Sequence, residues 1–201
     1  MRALPPGARI LELAPGTGQV ARLTGRGDLA WSGIEGCLDC LPALRRHLSS
    51  AAIMDLDSLR RLPAGFDVIV AADVLEHLAD PERTLRLAHT ALGPGGRLLL
   101  SVPNVANLHV RLNLLLGRFP YAKRGILDET HRVFFTRASI SALVTKCGFK
   151  IERRGMSAIP LPLALPGWPP TLVKALAWLL DGATRLLPTL LGYQVLLTAR
   201  R

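Results

Sequence analysis

The sequence predicts an α/β fold, a Rossmann-like, doubly wound sheet of parallel strands with helices on both faces. Short, almost unbroken apolar runs alternate with segments of helical spacing, which is typical of strands buried on both faces. A glycine-rich turn directly follows the first apolar run. The chain has 201 residues, 49% of them apolar, which is enough for one domain with a large core and too few for two full ones. We therefore expect residues 1–201 to form a single domain.

The predicted elements follow in order along the chain. Strands are expected at Arg9–Leu13, Leu29–Ile34, Ala51–Met54, Phe66–Ala72, Arg97–Val102, Phe149–Arg153 and Tyr193–Ala199. Helices are expected at Thr17–Leu23, at Leu38–Leu48, and from Pro81 to the turn that begins at Gly93. Thr136 is expected to cap a further helix that ends at Cys147. The inward positions of the last two helices are Leu85, Leu87, Ala88, Leu92, Ile140, Leu143 and Val144.

Two segments depart from this alternation. Residues 103–137 form a long connection rich in Asn, Arg and aromatic residues, with a helix predicted at Val110–Leu116, and long ordered loops usually serve a site. We interpret this connection as a lid on the substrate side. Residues 157–191 are rich in Leu and Pro, but Lys174, Asp181 and Arg185 argue against a membrane-spanning helix.

The favoured interpretation of residues 157–191 is a set of helices packed on the sheet or over the site. The alternative is an interfacial helix around Leu172–Leu187 that contacts a bilayer surface or a lipid-like substrate. Under that alternative the protein makes peripheral membrane contact through this segment.

The formal charge is +10, and residues 101–160 alone hold 10 basic and 3 acidic residues. Such an excess can mark a nucleic-acid partner or an anionic membrane surface. Arginine outnumbers lysine 21 to 4 along the whole chain, however, which indicates a compositional bias. Nucleic acid is therefore the less favoured partner.

The cysteines and the first residues bear on the compartment. Three cysteines cannot form a complete disulfide framework, and Cys37 and Cys40 form a lone C-x-x-C without a histidine at zinc-ligand spacing. We expect these two thiols to be structural and buried or half-buried. Pro5, Pro6 and Gly7 interrupt any apolar run before a signal peptide could form, so we expect a cytoplasmic location.

The first strand and its turn, Ile10 to Gly18, predict a nucleotide-like ligand. A helix that begins near Thr17 presents free N–H groups and the positive end of its dipole at the carboxyl edge of the sheet. Glu12 would repel a pyrophosphate but can accept hydrogen bonds from an ammonium group or a hydroxyl. Gly16 and Gly18 also satisfy the dinucleotide fingerprint. A cationic ligand such as S-adenosylmethionine is favoured over NAD.

Further features along the chain support an adenosyl ligand. Glu35 ends the second strand, where a carboxylate can accept both ribose hydroxyls. Asp55 follows the third strand and is placed to take the adenine amino group, while Leu56 is expected to pack near the ring. The segment Phe66–Leu78 leads the fourth strand into a short acidic helix, and Pro94–Gly96 turns the chain into the fifth strand.

On these residues the chain resembles class I S-adenosylmethionine-dependent methyltransferases, and more closely the branch containing the ubiquinone-biosynthesis O-methyltransferases. The likeness covers nearly the whole chain, and the matching segments are Glu12–Gly18, Glu35, Asp55–Leu56, Asp67–His77 and Pro94–Gly96. Gly125–Thr136 also looks like the substrate-side segment of such proteins. The resemblance implies a seven-stranded sheet whose last strand is antiparallel and lies beside the fifth. It also implies in-line transfer of a methyl group.

The chain departs from this family at its turn and at its start. Ala14 and Pro15 stand where the family has its first glycine and the next residue, which should stiffen the turn. Few residues precede the first strand, whereas relatives carry a covering helix there. We expect either a preceding helix outside this sequence or a more open site.

The candidate site residues follow from the motifs and the resemblance. Those expected to bind the donor are Glu12, Ala14, Pro15, Gly16, Thr17, Gly18, Glu35, Asp55, Leu56, Ala72, Asp73 and His77. If the acceptor is a hydroxyl, a base is needed, and His131 is the first choice, with Asp73, His77 and His109 behind it.

A metal site is the less favoured interpretation of one acidic segment. Asp73, Glu76 and His77 would share one helical face, and ubiquinone-type relatives use the matching positions for a divalent ion, here Mg²⁺. The favoured interpretation is that Asp73 positions the donor or the acceptor while Glu76 and His77 brace the fourth strand.

The function that the sequence favours is methyl transfer to a small-molecule or lipid-like acceptor, at oxygen. One alternative is an RNA methyltransferase, although Ala72-Asp73-Val74-Leu75 is not the N-P-P-Y-like tetrapeptide expected there. Another is a non-catalytic scaffold of the same fold, if Pro15 prevents donor binding. A dehydrogenase would need a second domain for which the chain has no residues.

Overall fold

The computed structural model describes residues 4–201 and contains a seven-stranded sheet of order β3-β2-β1-β4-β5-β7-β6. Strands β1 to β5 pair in parallel, and β7 runs antiparallel to both β5 and β6. This confirms the predicted α/β sheet and its antiparallel last strand. The strands are β1 (Arg9–Leu13), β2 (Ala30–Glu35), β3 (Ser50–Ile53), β4 (Phe66–Ala72), β5 (Leu92–Pro103), β6 (Lys150–Ser157) and β7 (Gln194–Arg200).

Two helices begin where the sequence predicts, at Pro81 and just after Thr136, whereas those predicted to begin at Thr17 and Val110 begin at Gln19 and Leu108. Asp80 accepts a hydrogen bond from the Arg83 N–H (2.9 Å) just before Pro81. Thr136 and Ser139 form a reciprocal capping box. The helices are α1 (Gln19–Thr24), α2 (Leu41–Leu44), α3 (Pro81–Ala91), α4 (Leu108–Leu115), α5 (Arg137–Lys146), α6 (Leu161–Ala164), α7 (Pro170–Leu186) and α8 (Pro188–Leu191).

The fifth strand is longer than predicted. It begins at Leu92 rather than Arg97, because Leu92 already pairs with Phe66 at the start of β4. The register then shifts before Val68 pairs with Arg97, so the predicted glycine turn is accommodated as an irregularity within the strand.

The helix predicted over Leu38–Leu48 is wrong in length. The chain forms a 3-10 turn at Leu38–Cys40 and then the four-residue α2, because the Ser49 N–H already donates to the Trp31 carbonyl (2.8 Å) as the chain rejoins the sheet. This short element leaves Cys37 exposed, which corrects the expectation that it is buried or half-buried, whereas Cys40 is half-buried.

The core lies on both faces of the sheet. On the α3 and α5 face, Ile69, Leu98 and Ile140 are completely buried. On the other face Ile10 and Trp31 pack against α1 and α2. Burying such a side chain contributes about 1.5–3 kcal/mol. The central strands β1 and β4 are therefore held from both sides, which fixes the carboxyl edge where the site lies.

The lid, residues 103–137, is tied to the sheet by backbone hydrogen bonds. The Asn104 N–H donates to the Tyr193 carbonyl (2.9 Å) and the Val105 N–H to the Phe135 carbonyl (2.9 Å). The N–H groups of Arg132 and Val133 both donate to the Glu76 carbonyl, at 2.8 and 3.0 Å. These bonds hold the lid against the turn that follows β4.

The Leu- and Pro-rich segment forms α6, α7 and α8. Helix α7 covers most of the span predicted as an interfacial helix and packs through Val173 and Thr184, while Trp178 and Leu186 are 75% and 82% exposed. Among residues 4–201, no helix combines the length and the apolar character needed to cross a membrane.

Candidate active site

The glycine turn leaves β1 in an unusual backbone conformation. Ala14, Gly16 and Gly18 have φ values of +48°, +56° and +77°. A Cβ added at Gly16 would meet nothing within 4 Å, whereas one at Gly18 would come within 3.2 Å of Leu48. Gly16 therefore borders open space and Gly18 packs against the fold. A left-handed backbone conformation at Ala14 costs about 1–2 kcal/mol. A glycine, which the resembling family has at this position, would avoid this strain.

Glu35 fastens this turn to the end of β2. Its Oε2 accepts a hydrogen bond from the Gly16 N–H (2.7 Å) and its Oε1 accepts one from the Cys37 N–H (2.9 Å). The side chain is 8% exposed. Each carboxylate oxygen has a second lone pair, so Glu35 can still accept ribose hydroxyls. The Gly16 N–H is therefore occupied by Glu35 in this structure.

Glu12 is a buried acid with one unpartnered carboxylate oxygen. Its side chain is 2% exposed, and Oε2 has no hydrogen-bond partner among the described residues. Burial raises the pKa of Glu12 from 4.5 to about 7. An unpaired buried acceptor directly before the glycine turn is suited to a cationic group. The residues present therefore fit S-adenosylmethionine, whose ammonium group would supply the missing hydrogen bond.

The other predicted donor contacts lie along the same edge. Asp55 is exposed after β3, and its Oδ1 accepts a hydrogen bond from the Asp57 N–H (3.0 Å), while Leu56 is buried. Thr17 is exposed at the turn, and Pro15 is buried against the Gly33 position. Ala72 is half-buried at the end of β4. The parallel strands thus bring together at one edge residues that are distant in the sequence.

Asp73 is held in a fixed position after β4. Its backbone has a φ of +53°. Its Oδ1 accepts from the Ser101 hydroxyl (2.8 Å) and its Oδ2 from the Gln194 amide (2.7 Å). Sequence reasoning missed both partners, because Ser101 approaches through the register of β4 with β5 and Gln194 through the register of β7 with β5, and no local pattern shows either register.

The predicted helical face of Asp73, Glu76 and His77 does not form. The chain makes a 3-10 turn at Leu75–His77, and Asp73 lies outside it. Instead, candidate ligand atoms of Glu76, His77 and His131 lie within 4.8 Å of one another, the one such group in the part of the chain that the structure describes. One carboxylate and two imidazoles suit a zinc-like ion, whereas Mg²⁺ prefers oxygen ligands. The donor set therefore does not fit the Mg²⁺ considered from the sequence.

Glu76 is the second buried acid of the site. It is 1% exposed, and neither of its carboxylate oxygens has a hydrogen-bond partner within the described residues. Burial, and then the nearby Asp73 charge, raise the pKa of Glu76 to about 8. Glu76 is therefore mostly neutral at pH 7, which is consistent with its buried position.

His131 and His77 connect the lid to this turn. Their ring centroids are 4.8 Å apart. The Nδ1 of His131 lies 3.1 Å from the Ile126 carbonyl, which assigns the proton to Nδ1 and leaves the Nε2 lone pair available. Burial, together with His77, lowers the pKa of His131 below its usual 6.5. His77, which the sequence placed near the donor, contacts the hydroxyl (3.1 Å) and carbonyl (3.3 Å) of Thr130 in the lid.

A cavity of about 500 Å³ lies between the lid and α7. Its wall is mostly apolar, and the polar residues His109 and Arg124 also border it. Tyr193 lies on the cavity wall, and burial and the Asp73 charge raise its pKa. The same wall includes Ile126, which anchors His131. The apolar lining residues include Leu108, Leu112, Ile126, Leu127, Leu180 and Leu191.

Comparison with known proteins supports the family resemblance. A family model described as "Methyltransferase domain" matches residues 1–153. The ubiquinone biosynthesis O-methyltransferase of Xanthomonas axonopodis pv. citri (strain 306) is 28% identical over 160 residues, which are 75% of this chain and 66% of that protein. The protein of the same name from Pseudomonas aeruginosa (strain LESB58) is 28% identical over 160 residues, 75% of this chain and 68% of that protein. The chain thus spans about two thirds of these relatives, and slightly less for the first.

Solved structures share the fold over nearly the whole chain. An S-adenosylmethionine-dependent methyltransferase from Mesorhizobium loti has a TM-score of 0.67 at 20% identity, covering 100% of this chain and 94% of that one. The Haemonchus contortus phosphoethanolamine N-methyltransferase 2, in complex with S-adenosyl-L-methionine, has a TM-score of 0.61 at 16% identity, covering 98% and 49%. The [4+2]-cyclase SpnF has a TM-score of 0.63 at 21% identity, covering 98% and 76%. At these identities the likeness establishes the fold alone.

Proposed function

Because this chain belongs to the methyltransferase domain family of S-adenosylmethionine-dependent enzymes, we propose that it transfers a methyl group to an oxygen of a small-molecule or lipid-like acceptor. The observation that carries this proposal is the position of His131. Its Nε2 is unprotonated beside the turn after β4, and its Nδ1 bonds to Ile126 on the wall of the apolar cavity. A base thus lies beside the turn after β4 and is bonded to the wall of a cavity of suitable size for an acceptor.

On the donor side, this chain's acids do the binding. Glu35 accepts ribose hydroxyls while holding the glycine turn, and Glu12 accepts the ammonium group. Asp55 and Leu56 are placed for the adenine ring. The bound donor supplies a methyl group already activated by its positive sulfur, so the protein's task is alignment.

On the acceptor side, His131 acts as general base. Its Nε2 would take the hydroxyl proton of the acceptor, and the oxygen would bond to the methyl carbon as the carbon–sulfur bond of the donor breaks, leaving neutral S-adenosylhomocysteine. The imidazolium that forms is stabilised by the negative charges of Asp128 and Asp73, both of which favour the protonated ring. The ring is neutral before the reaction, because its pKa is below 6.5.

The lid excludes water from this step. Attack of an anionic oxygen on a cationic donor cancels charge, and a dry apolar pocket favours that change. The aromatic rings of Phe119, Phe134 and His131 form successive edge-to-face contacts, with centroids 5.5 and 6.1 Å apart. These contacts hold the base against the apolar part of the lid.

The test measures transfer of labelled methyl from S-adenosylmethionine into lipid and aqueous fractions of a cell extract. His131→Gln is expected to lower the rate by about 10²–10⁴-fold with unchanged donor affinity. The wild-type rate should rise with pH through a value below 6.5 and stay level above it. His89→Gln is the matched control, because His89 lies on α3 against Phe149, away from this cavity.

Several outcomes would contradict the proposal. A fully active His131→Gln would remove the assigned base, and label found in RNA would favour the nucleic-acid alternative. Calorimetric titration with S-adenosylmethionine and with NAD provides a separate check of the donor. Binding of NAD alone, or of neither ligand, would contradict the donor site itself.

A further inference from the structure

Helix α7 has an apolar stripe that faces away from the protein. Leu172, Leu179 and Leu186 are seven residues apart and therefore lie on one side of the helix, and they are 44%, 58% and 82% exposed. Val173 and Thr184, at other helical angles, are buried against the protein. The stripe is thus an additional apolar surface and is not part of the packing face.

A second group of exposed leucines lies on the neighbouring element. At the end of α4, Leu112, Leu115 and Leu116 are 51%, 81% and 68% exposed. Leu112 of α4 and Leu180 of α7 line the same cavity, so the two helices border it together. The two helices that carry these exposed leucines therefore border the cavity assigned to the acceptor.

Basic side chains lie on the same two elements. On α7 the charged residues are Lys174, Asp181 and Arg185, all exposed. The exposed basic residues on and after α4 are Arg111, Arg118, Lys123 and Arg124, and the sequence contains no acidic residue between Arg111 and Asp128. Trp178, 75% exposed, adds an aromatic side chain of the kind enriched at membrane–water interfaces. Both elements thus carry exposed leucines together with basic side chains, and Arg124 borders the same cavity as Leu112 and Leu180.

We infer that α4 and α7 form a docking surface for an anionic lipid bilayer. Helix α7 has 17 residues, about 26 Å at ~1.5 Å per residue, and its three charged side chains favour a position in the plane of the interface. The exposed leucines enter the acyl boundary, and the basic side chains contact lipid phosphates. Taken with the proposed function, this surface delivers a membrane-dissolved acceptor to the cavity between the two helices.

Charge complementarity favours a bilayer over a second copy of the chain. In a two-fold dimer the same surface meets itself, so an α7–α7 contact would bring the basic residues of one copy near those of the other. Asp181 is the one acidic side chain on α7 available to compensate Lys174 and Arg185. An anionic bilayer can instead offer lipid phosphates to the basic side chains of both helices.

The experiment is co-sedimentation of the full chain with vesicles of phosphatidylcholine alone and with added phosphatidylglycerol. The wild type is expected to bind the mixed vesicles preferentially, and less so as salt rises. Leu179→Gln combined with Leu186→Gln should weaken binding about tenfold or more, since two inserted side chains are lost. Leu23→Gln is the matched control, because Leu23 is 71% exposed on α1, outside this surface.

Three results would overturn the inference. The first is that the wild type does not bind the mixed vesicles, and the second is that the double variant binds them as well as the wild type. The third is that light scattering shows a wild-type dimer that the double variant does not form, because this surface would then belong to a contact with a second copy. Calorimetric binding of S-adenosylmethionine by the double variant separates this inference from the proposed function. Normal donor binding with lost vesicle binding supports the docking surface, while lost donor binding in both proteins would count against the function instead.

Discussion

The unpaired carboxyl of Glu12 should make both folding and donor binding depend on pH. Its pKa is about 7 in the folded chain against 4.5 for an exposed glutamate, so the folded state binds the proton more tightly than the unfolded state. Below pH 4.5 both states are protonated and Glu12 costs nothing. As pH rises from 4.5 to about 7 the unfolded state releases its proton first, and stability is progressively lost.

The magnitude follows from the size of this pKa difference. At ~1.4 kcal/mol per unit, the shift from 4.5 to about 7 corresponds to about 3 kcal/mol of lost stability above pH 7. Glu12→Gln removes the titrating group, so the variant should be more stable than the wild type at pH 8 by up to about that amount. The two proteins should converge below about pH 4.5. Glu76 adds its own pH dependence to both, which cancels in the comparison.

Urea unfolding between pH 5 and 8.5 measures this difference, and calorimetry measures its counterpart in binding. A cationic donor favours the ionised carboxyl, so binding at pH 7 should release about half a proton, detected as heat that changes with the buffer. Glu12→Gln should release none and bind the donor more weakly. Glu129→Gln, which removes an exposed acid of the lid, should retain the wild-type curve. Parallel stability curves for the wild type and Glu12→Gln would refute the reasoning.

Two further substitutions test the supports of the site. Glu35→Gln keeps the size of the side chain but replaces one acceptor oxygen with a donor, so it should disrupt the hydrogen bond from Gly16 or the one from Cys37. The affinity for the donor, measured by calorimetry, should fall by about 10–100-fold. Unchanged affinity would contradict the ribose assignment. Asn104→Ala removes the amide that donates to the carbonyls of Thr189 (3.1 Å) and Gly192 (2.9 Å). The free energy of unfolding, measured with urea, should fall by about 1–3 kcal/mol. A loss below the error of that measurement would show that these hydrogen bonds contribute little.

The sheet and one half of the site could be predicted because their signals are local. Apolar runs placed β1 and β4 at their observed bounds, and the positions of Glu12 and Glu35 at strand ends followed directly. Parallel pairing then brings those ends to a common edge whatever the loops do. The family resemblance supplied the antiparallel last strand, which periodicity alone does not determine.

The other half of the site depends on contacts between distant segments, and the sequence did not reveal them. Spacing suggested that Asp73 and Glu76 share a helical face, but the left-handed backbone at Asp73 separates them, and His131 approaches from the lid. The short α2 is a similar case, since the sheet contact of Ser49 ends a helix that local propensity would continue. Tertiary contacts decided both positions.

The insertion of β7 between β5 and β6 determines when the molecule becomes functional during folding. Gln194, at the start of β7, is 121 positions from the Asp73 that it orients, and β6 has no neighbour in the sheet other than β7. Contacts of such long sequence separation form slowly, since a large loop must close first. The acceptor half is therefore expected to mature after the donor half, so an intermediate able to capture the donor would precede the species able to turn it over.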